Sequence, residues 1–165
     1  CKAKSITIRK NNIIYVDQEN KELGFVGKPK RVDVKLLKEI IKEDFVPIIT
    51  PMGLDEKGKP YNINADTAAG ALSRSIKSRR LILLTDIDGV LDDNNKLISE
   101  INTIEAKKLI DNKTIHGGMI PKVKTCIDAI NNGVRAVVII DGRRPHSILF
   151  ELFSDQGAGT LIRKW

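Results

Sequence analysis

Apolar residues along this chain recur in two rhythms, and the changes between them mark out strands and helices. Ser5-Ile6-Thr7-Ile8-Arg9 and Ile13-Ile14-Tyr15-Val16 are β-branched runs on either side of Asn11-Asn12, a pattern that predicts a β-hairpin over about 5–17. Leu23 to Gly27 predicts another short extended piece, closed by Pro29. Asp33 predicts a helix cap, followed by Val34, Leu37 and Ile41 on one face. Val46-Pro47-Ile48-Ile49-Thr50 predicts a short buried strand, and Pro51 to Pro60 a loop of Gly, Pro and Asp.

Beyond Asp66, which is the residue type to cap it, Thr67 to Leu72 predicts a helix of small residues. Leu81-Ile82-Leu83-Leu84 is a continuous apolar run, the pattern of a parallel strand buried on both faces. A helix is expected from Asn102 or Thr103 through Leu109 and Ile110. Another is expected from about Pro121 to Asn132, with Val123, Cys126, Ile127 and Ile130 as its apolar face and Gly133 as its stop. Ala136 to Ile140 predicts a second buried strand, His146 to Phe153 a last helix, and Thr160 to Ile162 a closing strand. Strands alternating with helices predict an α/β sandwich with a mainly parallel sheet. No internal repeat, low-complexity tract or interdomain linker interrupts the pattern, so 165 residues read as a single domain.

Composition narrows the function classes. A hydrophobic content of 41% supports a packed core, and no apolar run approaches the roughly 18 to 20 residues that a spanning helix needs. The start, Cys1-Lys2-Ala3-Lys4, has no apolar signal segment. A net charge of +7 raises the question of nucleic acid, but the basic residues are dispersed and aromatics make up only 4%, too few for a base-stacking surface. A basic surface remains compatible with phosphate-bearing small molecules. The two cysteines, Cys1 and Cys126, offer neither metal-ligand spacing nor a disulfide framework. Cys126 reads as a buried thiol, and a reducing cytoplasm fits.

In open α/β folds ligands lie beyond the carboxyl ends of the strands. That points to Asp86-Ile87-Asp88-Gly89-Val90 after the 81–84 run and to Asp141-Gly142-Arg143-Arg144 after the 136–140 run. It also points to His116-Gly117-Gly118-Met119-Ile120-Pro121-Lys122, where two glycines precede a helix start and a lysine follows. Backbone N–H groups, the helix dipole and the lysine charge together make a phosphate cradle. The same loop by itself also describes a tight turn with a solvated lysine. Asn62-Ile63-Asn64-Ala65-Asp66 likewise reads as a turn opening a helix until it is taken together with the other polar loops. Asp86-Ile87-Asp88-Gly89-Val90-Leu91 resembles the first motif of haloacid dehalogenase-type phosphohydrolases, which would make Asp86 a nucleophile. That motif normally opens its catalytic domain, whereas here half the chain precedes it, and the basic Asp141-Gly142-Arg143-Arg144 stands where an acidic metal motif belongs.

Taken in order, Gly24-Phe25-Val26-Gly27, Tyr61 to Asp66, Leu83 to Leu91, Gly117 to Val123, Asp141-Gly142-Arg143 and Gly157-Ala158-Gly159-Thr160 resemble the acetylglutamate kinases of the amino acid kinase family, across essentially the whole chain. The resemblance implies a three-layer αβα sandwich with a mainly parallel central sheet, of which residues 1–165 are the C-terminal, nucleotide-binding part. It implies transfer of the γ-phosphoryl group of ATP, carried with Mg²⁺, to the carboxylate of N-acetyl-L-glutamate, a step of arginine biosynthesis, with no metal ligand from the chain itself. In that comparison Lys122 stabilises the transferring phosphoryl group, Asp66 holds the catalytic lysines and Asn62 contacts the acetylated amino acid. Asp86, Ile87, Asp88, Gly89, Val90, Leu91, Thr114, Ile115 and His116 line the nucleotide site.

The tail bearing His146, Glu151 and Gly157 is similar to that of arginine-inhibited members, which implies an L-arginine effector site and a homo-oligomer, hexamer or dimer. A helix-capping His and a surface Glu describe the same residues without an effector. The family's N-terminal portion, with its glycine-rich phosphate loops and second catalytic lysine, has no counterpart in these residues. With Cys1 in place of an initiator Met, the expectation is a chain that starts mid-protein. On that expectation it would act by itself as a non-catalytic nucleotide-binding module or an inert fragment.

Overall fold

A computed structural model describes residues 2–8 and 12–164. Element order is β1 (Lys2–Ile6), β2 (Ile14–Gln18), a 3₁₀ turn (Lys21–Leu23), β3 (Gly27–Val32), α1 (Val34–Lys42), β4 (Phe45–Ile49), β5 (Met52–Leu54), β6 (Pro60–Asn62) and α2 (Ala65–Ile76). Then follow β7 (Arg80–Thr85), β8 (Glu100–Asn102), α3 (Thr103–Asp111), α4 (Met119–Asn131), β9 (Ala136–Asp141), α5 (Ser147–Phe153) and β10 (Gly159–Arg163). The chain divides into two compact units, 1–76 and 77–165, at a point where the sequence carries no Gly/Pro-rich linker. Four of the seven ladders between named strands are parallel.

In the first unit the expected hairpin over 5–17 is replaced by a different pairing. β1 runs parallel to β4, whereas β2 pairs antiparallel with β3 and parallel with β5. The second run forms β2, but of the first only Ser5 and Ile6 are in a strand, β1, with Thr7 and Ile8 beyond its end. Arg9 of that run, Lys10, and Asn11 of the expected turn lie outside the described residues. The 51–60 loop is in fact another hairpin. β5 and β6 pair antiparallel around a turn in which the Asp55 carboxylate accepts from the backbone N–H groups of Lys57 (2.8 Å) and Lys59 (2.9 Å). These strands are three residues each, too short to show an alternation.

Asp33 caps α1 as expected, accepting from the N–H groups of Lys35 (3.1 Å) and Leu36 (3.3 Å). The buried stripe is Leu37 and Ile40, and Ile41 is largely exposed. The stripe packs with Ile6, Ile14 and Tyr61 in this unit's core. Burial of that kind is worth about 1.5–3 kcal/mol per large apolar side chain. Asn64, rather than Asp66, supplies the capping oxygen of α2, accepting from the Thr67 N–H at 3.1 Å. Asp66 falls inside the first helical turn.

The second unit is built on a four-stranded sheet in the order β7-β9-β10-β8. β9 is the strand buried on both faces, in contact with both α4 and α5. β7 lies at the edge of this sheet, and Leu84, expected to be buried, is 46% exposed. β10 enters antiparallel to β9 and parallel to β8. α3 starts with a reciprocal cap, the Asn102 side chain accepting from the Glu105 N–H (2.8 Å) and the Glu105 carboxylate from the Asn102 N–H (2.9 Å). α4 buries Val123, Cys126, Ile127 and Ile130, and starts at Met119, two residues before the expected Pro121.

Candidate functional site

β7 and β9 run parallel and in register, so Thr85 and Asp141 end side by side and both following loops leave from the same edge. The Gly142 N–H donates to the Thr85 carbonyl at 2.8 Å, closing that corner. After Thr85 the chain passes through Asp86 to Gly89 and turns into a small hairpin. Leu91 pairs with Leu97, the Ile98 N–H donates to the Val90 carbonyl (2.9 Å), and the Asp92 carboxylate caps the tip through the N–H groups of Asn94 and Lys96. Gly89 sits at φ +152°, a conformation open to glycine and strained for other residues.

A second loop comes from the end of α3. Ile115 is buried, with its N–H donating to the Leu109 carbonyl at 2.8 Å, and it anchors the segment 112–118. His116 is exposed, and its Nδ1 lies 3.1 Å from the Thr114 carbonyl. A carbonyl only accepts, so this contact holds the proton on Nδ1 and leaves Nε2 as the ring's other polar edge. Gly117 turns the chain at φ +56°, and α4 begins with no side-chain cap at Gly118. The N–H groups of Met119 and Ile120 reach back only to the carbonyls of His116 and Gly117, at 3.3 Å, and Pro121 has no N–H. The helix start therefore presents fewer free donors than its glycines suggest, and much of its pull on an anion rests on the dipole and on Lys122.

The two loops enclose one cleft of about 630 Å³. Its walls include Asp86, Ile87, Gly89, Val90 and Leu91 from one loop and Thr114, Ile115, His116 and Lys122 from the other, together with Gly117 and Gly118. Asp88 is the one member of the expected 86–91 set outside this lining; its carboxylate accepts from Arg144 at 2.9 Å. Asp92 and Asn95 at the hairpin tip also line the cleft. Sequence reasoning missed them because nothing in a run of Asp and Asn shows that the chain doubles back.

Below the cleft's edge Asp141 is buried and gripped by its neighbour. Arg143 donates from Nε and Nη2 to the two carboxylate oxygens, each at 2.9 Å, and from its backbone N–H at 2.9 Å. The Arg143 side chain, followed by its backbone N–H, holds the Asp141 carboxyl down at about 2.

The C-terminal residues form a separate set. A groove of about 640 Å³ beside α5 is lined by His146 and Gly157 with Leu149, Phe150 and Phe153. His146 stands at the cap position of α5, but its side chain makes no capping hydrogen bond. Glu151 is no surface carboxylate: it is 7% exposed, accepts from Arg80 at 3.2 Å and from the Ala158 N–H at 2.8 Å, and lies outside the groove's lining. Asn62 and Asp66 belong to the first unit, where Asn62 ends β6 on the surface and Asp66 is half-buried in the first turn of α2.

The fold and the cleft together define an α/β protein that presents a polar ligand site at the carboxyl end of a sheet strand. The chain belongs to the amino acid kinase family, whose model matches residues 1–141. The acetylglutamate kinase of Pelagibacter ubique (strain HTCC1062) is 58% identical over 164 residues, which are 99% of this chain and 57% of that protein. The acetylglutamate kinase of Rhodopseudomonas palustris (strain BisB18) is 52% identical over 143 residues, 87% of this chain and 48% of that protein. The chain thus spans about half the length of the curated relatives it matches. Among solved structures, N-acetylglutamate synthase from Neisseria gonorrhoeae complexed with coenzyme A and L-arginine superposes with a TM-score of 0.87. The superposition covers 99% of this chain and 38% of that one; at 22% identity it is a likeness of fold. Family membership sets aside the phosphohydrolase reading of Asp86. Among the described residues no helix is long and apolar enough to cross a membrane.

Proposed function

We propose that this chain is the nucleotide-binding part of an acetylglutamate kinase, which transfers the γ-phosphoryl group of MgATP to the side-chain carboxylate of N-acetyl-L-glutamate. The observation that carries the reading is the cleft itself, in which the 86–91 and 114–118 loops and Lys122 share one wall system. Identities of 58% and 52% to acetylglutamate kinases support the choice of acceptor.

The chemistry suits such a site. A carboxylate oxygen of the acceptor forms a bond to the γ-phosphorus while the bond from that phosphorus to the β,γ-bridging oxygen breaks, and ADP leaves with the electron pair. The nucleophile is already an anion, so no general base is required. Catalysis then consists of alignment and of cations on the phosphoryl oxygens. Lys122, in the first turns of α4, supplies such a cation where the helix dipole adds to it. Ile87, Val90, Leu91 and Ile115 give apolar walls for the adenosine end, and His116 and Thr114 offer polar edges. Asp66 is assigned to orienting catalytic lysines, and Asn62 to the acetylated amino acid. The same proposal extends to a cytoplasmic homo-oligomer, hexamer or dimer, inhibited by L-arginine through His146, Glu151 and Gly157. What supports that last assignment is the likeness of the tail to arginine-inhibited members; within this chain both Glu151 oxygens already have partners, Arg80 and the Ala158 N–H.

The test is a coupled assay of ADP release by the whole enzyme with and without N-acetyl-L-glutamate. Acetylglutamate-dependent release is expected. Release that ignores the acceptor, or hydrolysis of simple phosphate esters, overturns the reading.

A further inference from the structure

We infer that Thr160 is a positioning residue for the nucleotide, acting through the 86–91 loop without touching the ligand. The inference rests on the nucleotide reading of the cleft. Thr160 lies in β10, is 0% exposed, and is not among the residues lining the cleft. Its hydroxyl works in both directions: Oγ1 accepts from the Val90 N–H at 2.8 Å and donates to the Ile98 carbonyl at 2.7 Å. Those two backbone groups face each other across the small hairpin that follows the loop. The other half of their pairing is direct, from the Ile98 N–H to the Val90 carbonyl at 2.9 Å. The hydroxyl is therefore inserted into a two-bond pairing and completes it from a neighbouring strand. That ties the loop to β10 as well as to its own return strand.

Contact with the loop is also steric. A Cβ at Gly89 would stand 2.6 Å from Thr160 Oγ1 and 2.8 Å from Leu97 Cδ1, so the loop backbone rests directly on this side chain. Val90, the residue it grips, is 1% exposed and forms part of the cleft wall. A packing role alone needs only the shape of threonine, which valine nearly reproduces. The observed geometry needs the oxygen, because without it the buried Val90 N–H and the part-buried Ile98 carbonyl lose this partner.

The test uses the whole enzyme and three substitutions. Thr160→Val is expected to raise both the KM for MgATP and its calorimetric Kd about tenfold, the scale of one well-formed hydrogen bond lost from a positioned loop, with the acetylglutamate KM changed far less. Thr160→Ser, which restores the oxygen, is expected to recover most of the nucleotide affinity. Thr160→Ala, which removes the oxygen without putting a second methyl in its place, is expected to raise the MgATP KM in the same selective way. This third substitution, read against Thr160→Ser, decides the question if Thr160→Val does not fold. Equal effects of Val and Ser, or a loss spread evenly over both substrates, overturn the inference. If the wild-type enzyme binds MgATP but does not phosphorylate acetylglutamate, the acceptor assignment falls while the calorimetric comparison still judges Thr160. A wild type that does not bind MgATP overturns both.

Discussion

Two cavities of nearly equal volume, about 630 and about 640 Å³, occur in the second unit, and they differ in almost everything else. The cleft is made by two loops whose backbones are fixed by named hydrogen bonds, with Lys122 on one wall and Asp86 on the other. The groove beside α5 is lined by Leu149, Phe150 and Phe153, the last 84% exposed, together with Arg144, His146 and the run Gly157 to Gly159. Volume therefore says little about which cavity takes a phosphate-bearing ligand. Both carry a basic residue near a helix start. The informative difference is that the cleft joins two loops at the end of β7 with Lys122 in a helix of 13 residues, while the groove sets Arg144 and His146 among the apolar side chains of the 7-residue α5.

The comparison breaks most sharply at Lys122. In the whole enzyme Lys122→Ala is expected to lower kcat by about two orders of magnitude or more, with a smaller change in the MgATP KM, as the loss of a charge on the transferring group implies. Steady-state kinetics with unchanged kcat would remove the cleft's claim to the chemistry.

The proposed effector residues are tested at Glu151, on α5 but outside the groove's lining. L-Arginine is expected to inhibit the enzyme by raising the acetylglutamate KM, and Glu151→Ala to abolish that inhibition. The same substitution takes the carboxylate from Arg80, which keeps the Glu151 carbonyl, and from the Ala158 N–H, so unfolding stability should fall by about 1–3 kcal/mol, read by denaturant titration. Inhibition that persists in a folded Glu151→Ala enzyme would confine Glu151 to a structural role.

A smaller effect is expected at Asp141, which lines neither cavity. Arg143 holds its carboxyl at about 2 in the folded chain against an ordinary 3.8. A lowered folded value gives stability that is complete above the unfolded value and lost as the pH drops toward the folded one. The melting-temperature gap between wild type and Asp141→Asn should therefore be constant near neutrality and close between about pH 4 and pH 2. A gap that stays open at pH 2 would mean that the ion pair is not its source.

The finest test is Gly118→Ala. A Cβ there meets no atom within 4 Å, so the fold should tolerate it with an unchanged Tm. The added methyl group would instead crowd the helix start inside the cleft, raising the MgATP KM a few-fold. No change in KM would move the phosphates away from this corner.

Much of the architecture was legible because local sequence is enough to specify it. Asp33 and Asn102 announce helix starts through hydrogen bonds made within a few residues, though the Glu105 half of the second cap was shown by the structure, and the stripe of α4 follows from one-turn spacing. The 86–91 loop and the His116 to Lys122 loop could be picked out because one follows a strand and the other opens a helix, and the structure brings both to one cleft. Partner choice could not be. The β-branched run at Ile13 to Val16 is equally ready to pair with Ile6 or with Val32, and only the whole set of buried faces selects β3 and β5. The same holds for Leu81 to Leu84, whose apolar run fits an edge as well as a centre until β9 occupies the middle. Glu151 finds Arg80, and Thr160 finds Val90, across about seventy residues. By itself the sequence determined where helices begin, which faces they bury and which residue types stand at the strand ends, because those choices are settled within one or two turns of chain. Tertiary structure alone decided which strand is central, which carboxylate is already matched by an arginine and which hydroxyl holds the loop, because buried polar groups must find partners wherever the fold supplies them.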